Sequence, residues 1–310
     1  MNKVAITGAT GMLGLALTEK FIEENVKVVA FVTPGSRRMS RVPKNDLVQI
    51  VQCDMSQYGD IANSFDGCGL DVFFHFAWGH TSHAGRNDED GQNICVEQSL
   101  DAVRLAKKMG ANTFVFAGSQ AQYGRIDGLM SENMECNPIT PYAKAKMVAE
   151  INCKKLCDEL GIRFISLRIF SIYGPYIQEF TMVSTAVRNA MNGVHMDMSA
   201  GLQTWNFLYQ DDFADQVYGL ATNTVAAGVY NIGHPYCAPL KDFLFEMKEA
   251  MPTFNFSLAE PDVNNIPASI EPDMSKTIEA AGIVPTMDFK EGIRRMYKFY
   301  EENLSNNSSV

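Results

Sequence analysis

Short apolar runs alternate with longer stretches of mixed polarity through the first half of the chain. The apolar runs have the length and the β-branched and aromatic content of buried strands, whereas the stretches between them repeat apolar residues at helical spacing. The six runs are residues 4–6, 26–32, 47–52, 72–76, 114–117 and 164–167. Strands that alternate with helices form a parallel sheet covered on both faces. We therefore predict an α/β fold, a doubly wound parallel sheet of the Rossmann-like type.

The regular alternation stops after Tyr173. From there the elements are shorter and rich in methionine, proline and aromatic residues, up to a helix predicted near residues 288–302. We predict that this part of the chain forms a smaller C-terminal substrate-binding lobe. Residues 173–205 and 236–310 are assigned to that lobe, and residues 1–172 and 206–235 to a dinucleotide-binding domain.

An excess of acidic residues excludes several classes of partner. With 26 basic and 36 acidic residues the formal net charge is −10, which repels nucleic acids and anionic membrane surfaces over long range. No apolar stretch reaches membrane-spanning length and the first residues do not resemble a signal peptide, so we expect a cytoplasmic protein. The seven cysteines are scattered and odd in number, which favours buried free thiols.

A glycine pattern follows the first predicted strand. Gly8, Gly11 and Gly14 lie where the strand turns into a helix, and glycines there let a phosphate approach the backbone and the positive end of the helix. We predict that this turn, including Thr10, Met12 and Leu13, binds a dinucleotide. The alternative is a tight strand-to-helix turn without a ligand.

The second predicted strand bears on the choice of cofactor. An NAD enzyme places an acid after this strand to bind the ribose hydroxyls, whereas this chain has Ser36 and Arg37. A serine and an arginine can bind a 2′-phosphate by hydrogen bonds, so we predict NADP as the cofactor, with NAD as the alternative. A further alternative is that the arginine is a solvated loop residue that binds no cofactor. Asp54, followed by Met55 after the third strand, is predicted to meet the adenine; the alternative is a turn-capping aspartate.

Three residues form a candidate catalytic set. Tyr142 and Lys146 share one face of a helix opened by Pro141, and a lysine ammonium beside a tyrosine favours the phenolate. Ser119 follows the fifth predicted strand, at the sheet edge where open α/β folds bind their ligands. We predict hydride transfer at a substrate carbon, with Tyr142 carrying the matching proton.

With these residues assembled, the chain resembles the extended short-chain dehydrogenase/reductases, and within them the NAD-dependent epimerase/dehydratase family of nucleotide-sugar enzymes. The motifs are TGATGMLG at 7–14, FHFA at 74–77, GSQAQYG at 118–124, Tyr142 with Lys146, LRIFSIYGP at 167–175, NFLYQDD at 206–212 and GVYNIG at 228–233. The resemblance implies a nucleotide-diphosphate sugar substrate and a homodimer formed through helices near 93–109 and 141–160.

The resemblance also implies further site residues. The cofactor would contact Phe76, Ala77, Trp78, Asn93, Ile169 and Phe170, in addition to Tyr142 and Lys146. The substrate would contact His80, Arg86, Gln120, Ser171 and Trp205. Residues 78–86 correspond to a substrate-facing loop in the family; the alternative is a flexible surface loop. No metal site is expected, since His80 and His83 lack neighbouring carboxylates.

Departures from the family pattern narrow the range of reactions expected of this chain. Sugar dehydratases of the family have an Asp-Glu pair after the serine or threonine, whereas this chain has Gln120 and Ala121, which argues against dehydration. Ser171 and Trp205 stand where uridine-sugar epimerases usually have asparagine and arginine. The sequences of these motifs are more similar to those of 4-keto-6-deoxyhexose reductases of surface-polysaccharide biosynthesis, such as abequose and paratose synthases.

Three hypotheses for the function follow. The first is an NADP(H)-dependent reductase of a 4-keto nucleotide sugar. The second is a nucleotide-sugar C4 epimerase that retains NAD. The third is a non-catalytic dinucleotide-sensing protein, since a fold does not fix a function. The presence of the Tyr142 and Lys146 pair argues against the third.

Overall fold

The computed structural model describes residues 1–65, 68–126, 128–262 and 268–307. A sheet of seven parallel strands forms its centre, in the order β7-β6-β5-β4-β1-β2-β3. The strands are β1 Lys3–Thr7, β2 Lys27–Val32, β3 Val48–Gln52, β4 Val72–His75, β5 Thr113–Ser119, β6 Arg163–Ile169 and β7 Gly228–Ile232. The predicted Rossmann-like α/β fold is confirmed.

Helices cover both faces of this sheet. The helices of the described residues are α1 Met12–Glu23, α2 Tyr58–Ile61, α3 Glu89–Lys108, α4 Pro141–Leu160, α5 Met182–Asn192, α6 Gln210–Thr222, α7 Leu240–Ala250, α8 Ser275–Ala281 and α9 Phe289–Asn307. One apolar core lies between the sheet and α1 with α6, and a second between the sheet and α3 with α4. The strands are largely apolar on both sides because both faces are covered, except for the partly exposed edge strand β3.

Residues after β6 build a third apolar core. Its members come from α5, α7 and α9, and Phe207, Phe243 and Phe289 pack against one another with ring centroids 4.8–5.1 Å apart. Four two-stranded pairs complete the fold. They are Leu129–Met130 with Glu271–Pro272, Ile172–Tyr173 with Leu208–Tyr209, His195–Met198 with Asn255–Leu258, and Thr204–Trp205 with Ala238–Pro239.

Helix α3 begins earlier than the sequence pattern indicates. We predicted a helix opened by Asn93, whereas it begins at Glu89 with Asp88 as its N-cap. The Asp88 carboxylate accepts a hydrogen bond from the Gly91 backbone N–H at 3.1 Å, and the acids at 89 and 90 favour the first turn of a helix. Asn93 therefore lies in the second turn.

All seven cysteines are free thiols. None of the helices in the described ranges has both the length and the apolar character needed to cross a bilayer.

Candidate active site

A cleft of about 1300 Å³ opens at the carboxyl ends of the parallel strands. The strand register pairs the last residues of neighbouring strands at this edge of the sheet: Thr7 of β1 lies opposite His75 of β4, and Ser119 of β5 lies opposite Ile169 of β6. The predicted site residues that line the cleft are Gly8, Thr10, Gly11, Met12, Leu13, Gly14, Ser36, Arg37, Asp54, Met55, Phe76, Ala77, Trp78, His80, Arg86, Ser119, Gln120, Tyr142, Lys146, Ile169, Phe170, Ser171 and Trp205.

Asn93 is the predicted site residue that does not line this cleft. It is exposed on α3, and its neighbours Gln92 and Cys95 face inward instead. The earlier start of α3 explains the difference, because it fixes which residues of the second turn face the sheet.

The glycine turn packs closely against neighbouring backbone and leaves the start of α1 uncapped. Gly8 has φ +69°, and a Cβ there would lie 2.8 Å from the backbone nitrogen of Ala77. A Cβ on Gly14 would lie 2.8 Å from the Cα of Ala9. Gly11 opens α1 and no side chain of the described residues caps this helix. The first-turn N–H groups of α1 are thus available to an anion such as a phosphate.

A buried hydrogen-bond chain holds the loop after β1 against the loop after β4. The Thr7 hydroxyl oxygen accepts from the backbone N–H groups of Phe76 and Ala77 at 3.1 Å and lies 3.0 Å from His75 Nδ1. His75 Nε2 lies 3.1 Å from the Ser99 hydroxyl, which donates to the Cys95 carbonyl. This pattern assigns the neutral Nε2–H tautomer to His75. Burial lowers the pKa of His75 to about 3.

The buried histidine predicts a specific loss of stability in acid. The unfolded chain protonates His75 near 6.5 and the folded chain only near 3, so lowering the pH from 6.5 towards 4 favours the unfolded state. We expect the melting temperature of His75→Asn to fall less steeply over this range than that of the wild type. Thermal melts at half-unit pH steps measure it, with the exposed His83→Asn as control. Parallel slopes for all three proteins would refute this.

The adenosine end of the cleft holds Ser36, Arg37 and Asp54. Arg38 donates its backbone N–H to the Ser36 hydroxyl at 3.3 Å, so the loop after β2 turns back on itself at the cleft wall. Asp54 caps the 3₁₀ turn Met55–Gln57, accepting from Ser56 N and Oγ at 3.1 and 2.8 Å. Asp54 thus makes the turn-capping contact that the sequence suggested as an alternative, and it also lines the cleft where the adenine was predicted to bind.

Ser119, Tyr142 and Lys146 meet in the middle of the cleft. Ser119 ends β5, and its side chain and the Tyr142 ring both line the cleft. Helix α4 places the tyrosine and the lysine one turn apart, with Pro141 in its first turn and the Thr140 hydroxyl accepting from the Ala143 backbone N–H at 3.2 Å. The three predicted residues are therefore brought together by two elements whose ends converge at the same sheet edge.

The electrostatics of this set favour a protonated tyrosine at rest. Burial raises the pKa of Tyr142, whereas the Arg86 charge and the Ser119 hydroxyl act to lower it. The Arg86 guanidinium lies over the Tyr142 ring, 4.8 Å from its centroid. Burial lowers the pKa of Lys146 to about 7. A neutral phenol flanked by two cationic side chains is arranged to give up a proton to an acceptor in the cleft.

The loop at residues 78–86 is fixed from below by Gln92, which the sequence did not single out. The Gln92 amide is fully buried; it accepts from Trp78 Nε1 at 2.9 Å and donates to the carbonyls of His80 and Gly85 at 3.0 and 2.9 Å. His80 has φ +51° and its Nδ1 lies 3.1 Å from the Asp88 carboxylate, so the expectation that His80 lacks a neighbouring carboxylate was wrong. These contacts join the loop to the start of α3.

The far end of the cleft is lined by neutral side chains. Ser171, Trp205 and Phe207 face it, together with Gln203, which is 5% exposed and whose Oε1 has no hydrogen-bond partner among the described residues. The Trp205 ring lies 6.4 Å from the Phe207 ring. No carboxylate follows Ser119, since Gln120 and Ala121 occupy those positions.

A buried ion pair joins helix α4 to strand β6. Glu150 of α4 accepts from Arg168 of β6 at 2.8 Å and from the Ser166 hydroxyl at 2.5 Å. Arg168 also lies over the Tyr123 ring, 4.7 Å from its centroid. The pair thus ties the helix that carries Tyr142 to the strand beside Ser119.

Comparison with known proteins agrees with this architecture. The model of the NAD dependent epimerase/dehydratase family matches residues 4–233. An uncharacterized UDP-glucose epimerase (YtcB) of Bacillus subtilis (strain 168) is 28% identical over 191 residues, 56% of this chain and 57% of that protein, so this match spans about half of each. The dTDP-D-glucose 4,6-dehydratase of Homo sapiens is 22% identical over 330 residues, covering 100% of this chain and 93% of that protein.

Solved structures share the fold over nearly the whole chain. A UDP-N-acetylglucosamine 4-epimerase from Methanobrevibacter ruminantium M1, in complex with UDP-N-acetylmuramic acid, aligns with a TM-score of 0.85 at 21% identity, covering 97% of this chain and 99% of that one. A UDP-glucuronic acid 4-epimerase from Bacillus cereus, in complex with NAD, aligns with a TM-score of 0.84 at 20% identity, covering 98% of both chains.

Proposed function

This chain belongs to the NAD dependent epimerase/dehydratase family, and from that membership and its cleft we propose that it is an NADP(H)-dependent enzyme that reduces the 4-keto group of a nucleotide-linked sugar. One observation carries the proposal. Ser119, Tyr142 and Lys146 share a cleft with the glycine turn, while Gln120 and Ala121 supply no acid–base pair after Ser119. The site can therefore exchange a hydride and a proton at one carbon, but lacks the groups for elimination at the neighbouring ones.

The cleft fits a dinucleotide. The uncapped start of α1 presents N–H groups where a diphosphate needs them, and Gly11, which opens the helix, has no side chain to cover them. Bound there, a reduced nicotinamide supplies the hydride. The proposal assigns residues 1–172 and 206–235 to cofactor binding and residues 173–205 and 236–310 to the sugar nucleotide.

The protein groups complete the reduction by moving one proton. As a hydride reaches the carbonyl carbon, the C=O π-electrons pass to oxygen, and the Tyr142 phenol donates its proton to that oxygen to give an alcohol. Ser119 holds the carbonyl oxygen by a hydrogen bond, and the Lys146 and Arg86 charges stabilise the phenolate left on Tyr142. The raised pKa of Tyr142 suits this direction, since a proton donor must hold its proton at rest.

The test starts with the purified protein. Absorbance at the reduced-nicotinamide band is followed with NADPH and a panel of 4-keto-6-deoxy sugar nucleotides, after the protein has been checked for bound cofactor. We expect cofactor-free protein that consumes one NADPH per sugar reduced. Protein that keeps its cofactor through purification and interconverts C4 epimers without net NADPH loss would contradict the proposal.

The second candidate is a nucleotide-sugar C4 epimerase with retained NAD. It is favoured by the solved structures of similar fold, which include 4-epimerases bound to UDP-sugars or NAD. An epimerase uses the same three residues but returns the hydride to the same carbon. The stoichiometry of NADPH therefore separates the two candidates.

Arg37 is proposed to set the preference for NADP. A guanidinium that binds the 2′-phosphate through charge-assisted hydrogen bonds contributes about 1.5–3 kcal/mol, or roughly 10–100-fold in affinity. We expect Arg37→Ala to raise the KM for NADPH by that factor and to leave the KM for NADH nearly unchanged. Arg188→Ala, on α5 outside the cleft lining, is the control. An equal change for both cofactors would show that Arg37 does not contact the 2′-phosphate.

We also propose a homodimer built on α3 and α4. These helices pack against each other, and α4 exposes Val148 and Ile151, which are three residues apart and share a helix face. A charge in the middle of an apolar interface opposes association, so Ile151→Glu is expected to convert the dimer into a monomer. Light scattering after size exclusion measures the mass, with Val225→Glu, at an exposed apolar residue outside these helices, as the control. A wild-type monomer, or an Ile151→Glu dimer, would contradict this.

A further inference from the structure

Lys146 is buried, and no carboxylate of the described residues pairs with it. Its side chain is 3% exposed, and its one hydrogen-bond acceptor among the described residues is the Ala117 carbonyl at 2.8 Å. The titratable groups around it are His75 of β4, Cys95 of α3, Tyr142 and Cys153 of α4, and Arg86 of the 78–86 loop. Burial keeps the cysteines and the tyrosine neutral, and Arg86 is itself a cation, so none of them supplies a negative charge near neutral pH.

The face of an indole ring lies where a counter-ion would be expected. The Lys146 ammonium is 3.6 Å from the centroid of the Trp78 ring, and the next aromatic ring, Phe116, is 5.1 Å away. Indole is the aromatic side chain that attracts a cation most strongly, and the attraction grows when both groups are withdrawn from water. Trp78 thus offers the lysine a negative surface without a carboxylate.

The indole is itself held in place. Its Nε1–H donates to the buried Gln92 side chain at 2.9 Å, and the amide of Gln92 is fixed by two backbone carbonyls. The Trp78 ring also meets the Tyr142 ring edge-on, at an interplanar angle of 88° and 6.3 Å between centroids. One rigid ring therefore contacts both members of the catalytic pair.

We propose that Trp78 is a positioning residue for the reaction, whose indole face keeps the Lys146 ammonium charged and aimed into the cleft while Gln92 locks the ring. The proposal rests on the proposed function for the role of Lys146 in turnover, but the contact itself does not. A side chain without a π-face at position 78 leaves a buried cation that is easier to deprotonate.

The contact is tested without turnover by following the indole N–H resonances of ¹⁵N-labelled protein from pH 6 to 10. The chain has two tryptophans, so two resonances are expected, and Trp205→Phe assigns them. We expect the Trp78 resonance to titrate with a midpoint at or above pH 7, to lose this titration in Lys146→Met, and to keep it in the control Lys144→Met, an exposed lysine of the same helix. A Trp78 resonance that does not titrate, or that titrates unchanged in Lys146→Met, overturns the proposal.

Turnover provides the second readout. NADPH oxidation should decline as Lys146 loses its proton, and in Trp78→Leu we expect this decline about one pH unit lower, with kcat at pH 7.5 reduced about tenfold and KM for the sugar nucleotide nearly unchanged. Trp78→Phe should restore part of the loss. If the variants lose thermal stability but keep the wild-type pH profile, the role of Trp78 is structural only and the proposal fails.

The two claims can fail separately. Absence of reduction with every sugar nucleotide, together with the expected indole titration, refutes the proposed function and leaves the Trp78 contact standing. Reduction with an unaltered indole resonance refutes the contact alone.

Discussion

Tyr142→Phe is expected to lower kcat by about 10²–10⁴-fold, because it removes the group that supplies the proton and leaves its surroundings intact. The phenyl ring keeps the edge contact with Trp78 and the stacking under Arg86, so the fold and the binding of both ligands should change little. Single-turnover NADPH oxidation at saturating sugar nucleotide measures the chemical step. Cofactor binding is followed separately by the quenching of protein fluorescence, since both tryptophans line the cleft.

Tyr236→Phe is the matched control for this substitution. Tyr236 is 53% exposed and is not part of the cleft lining. The Tyr236→Phe protein should retain the wild-type rate of NADPH oxidation. A Tyr142→Phe protein with the wild-type rate would show that another group donates the proton. If no measured turnover depended on any residue of the cleft, the dinucleotide-sensing hypothesis would be favoured.

Glu150→Gln is expected to cost about 3–5 kcal/mol of unfolding free energy, the largest effect on stability that we predict. The Glu150 and Arg168 side chains are 8% and 7% exposed, so removing the carboxylate charge leaves a buried guanidinium without a counter-ion. The variant keeps the size of the side chain, which separates the electrostatic effect from a packing effect. Urea denaturation followed by circular dichroism measures the loss.

Asp158→Asn provides the comparison on the same helix. Its partner Lys154 lies 2.6 Å away, but the two side chains are 59% and 55% exposed, and such pairs contribute about 0.3–0.5 kcal/mol. Equal losses for Glu150→Gln and Asp158→Asn would contradict the role of burial. We also expect the double replacement of Glu150 and Arg168 by methionine to recover much of the stability, because no unpaired charge remains.

The fold and the placement of Ser119, Tyr142 and Lys146 in one cleft could be predicted from local sequence because their signals are local. The strands are short apolar runs, and Tyr142 and Lys146 are one helical turn apart. Gly8 and Gly14 occupy positions where a side chain would collide with the backbone, and that constraint leaves glycine in the sequence. The sheet edge then follows from the parallel order of the strands.

The contacts that support the site could not be predicted in this way. Gln92 reaches Trp78 and the loop carbonyls only because α3 begins at Glu89, four residues before the predicted start. The Asp88 cap was a readable signal for that start. The Glu150 and Arg168 pair joins a helix to a strand 18 residues later, and nothing in either segment alone specifies the partner.

The most direct test of the reductase proposal is a transfer experiment with NADPH that carries deuterium at both hydrogen positions of C4 of the nicotinamide. The protein is mixed with this cofactor and a 4-keto sugar nucleotide, and the sugar product is analysed by mass spectrometry and NMR. We predict one deuterium on C4 of the product sugar for each NADPH oxidised, and no transfer in Tyr142→Phe over the same interval. A reduced sugar without deuterium on C4, or a keto sugar left unreduced while the added NADPH is unchanged, would contradict the account.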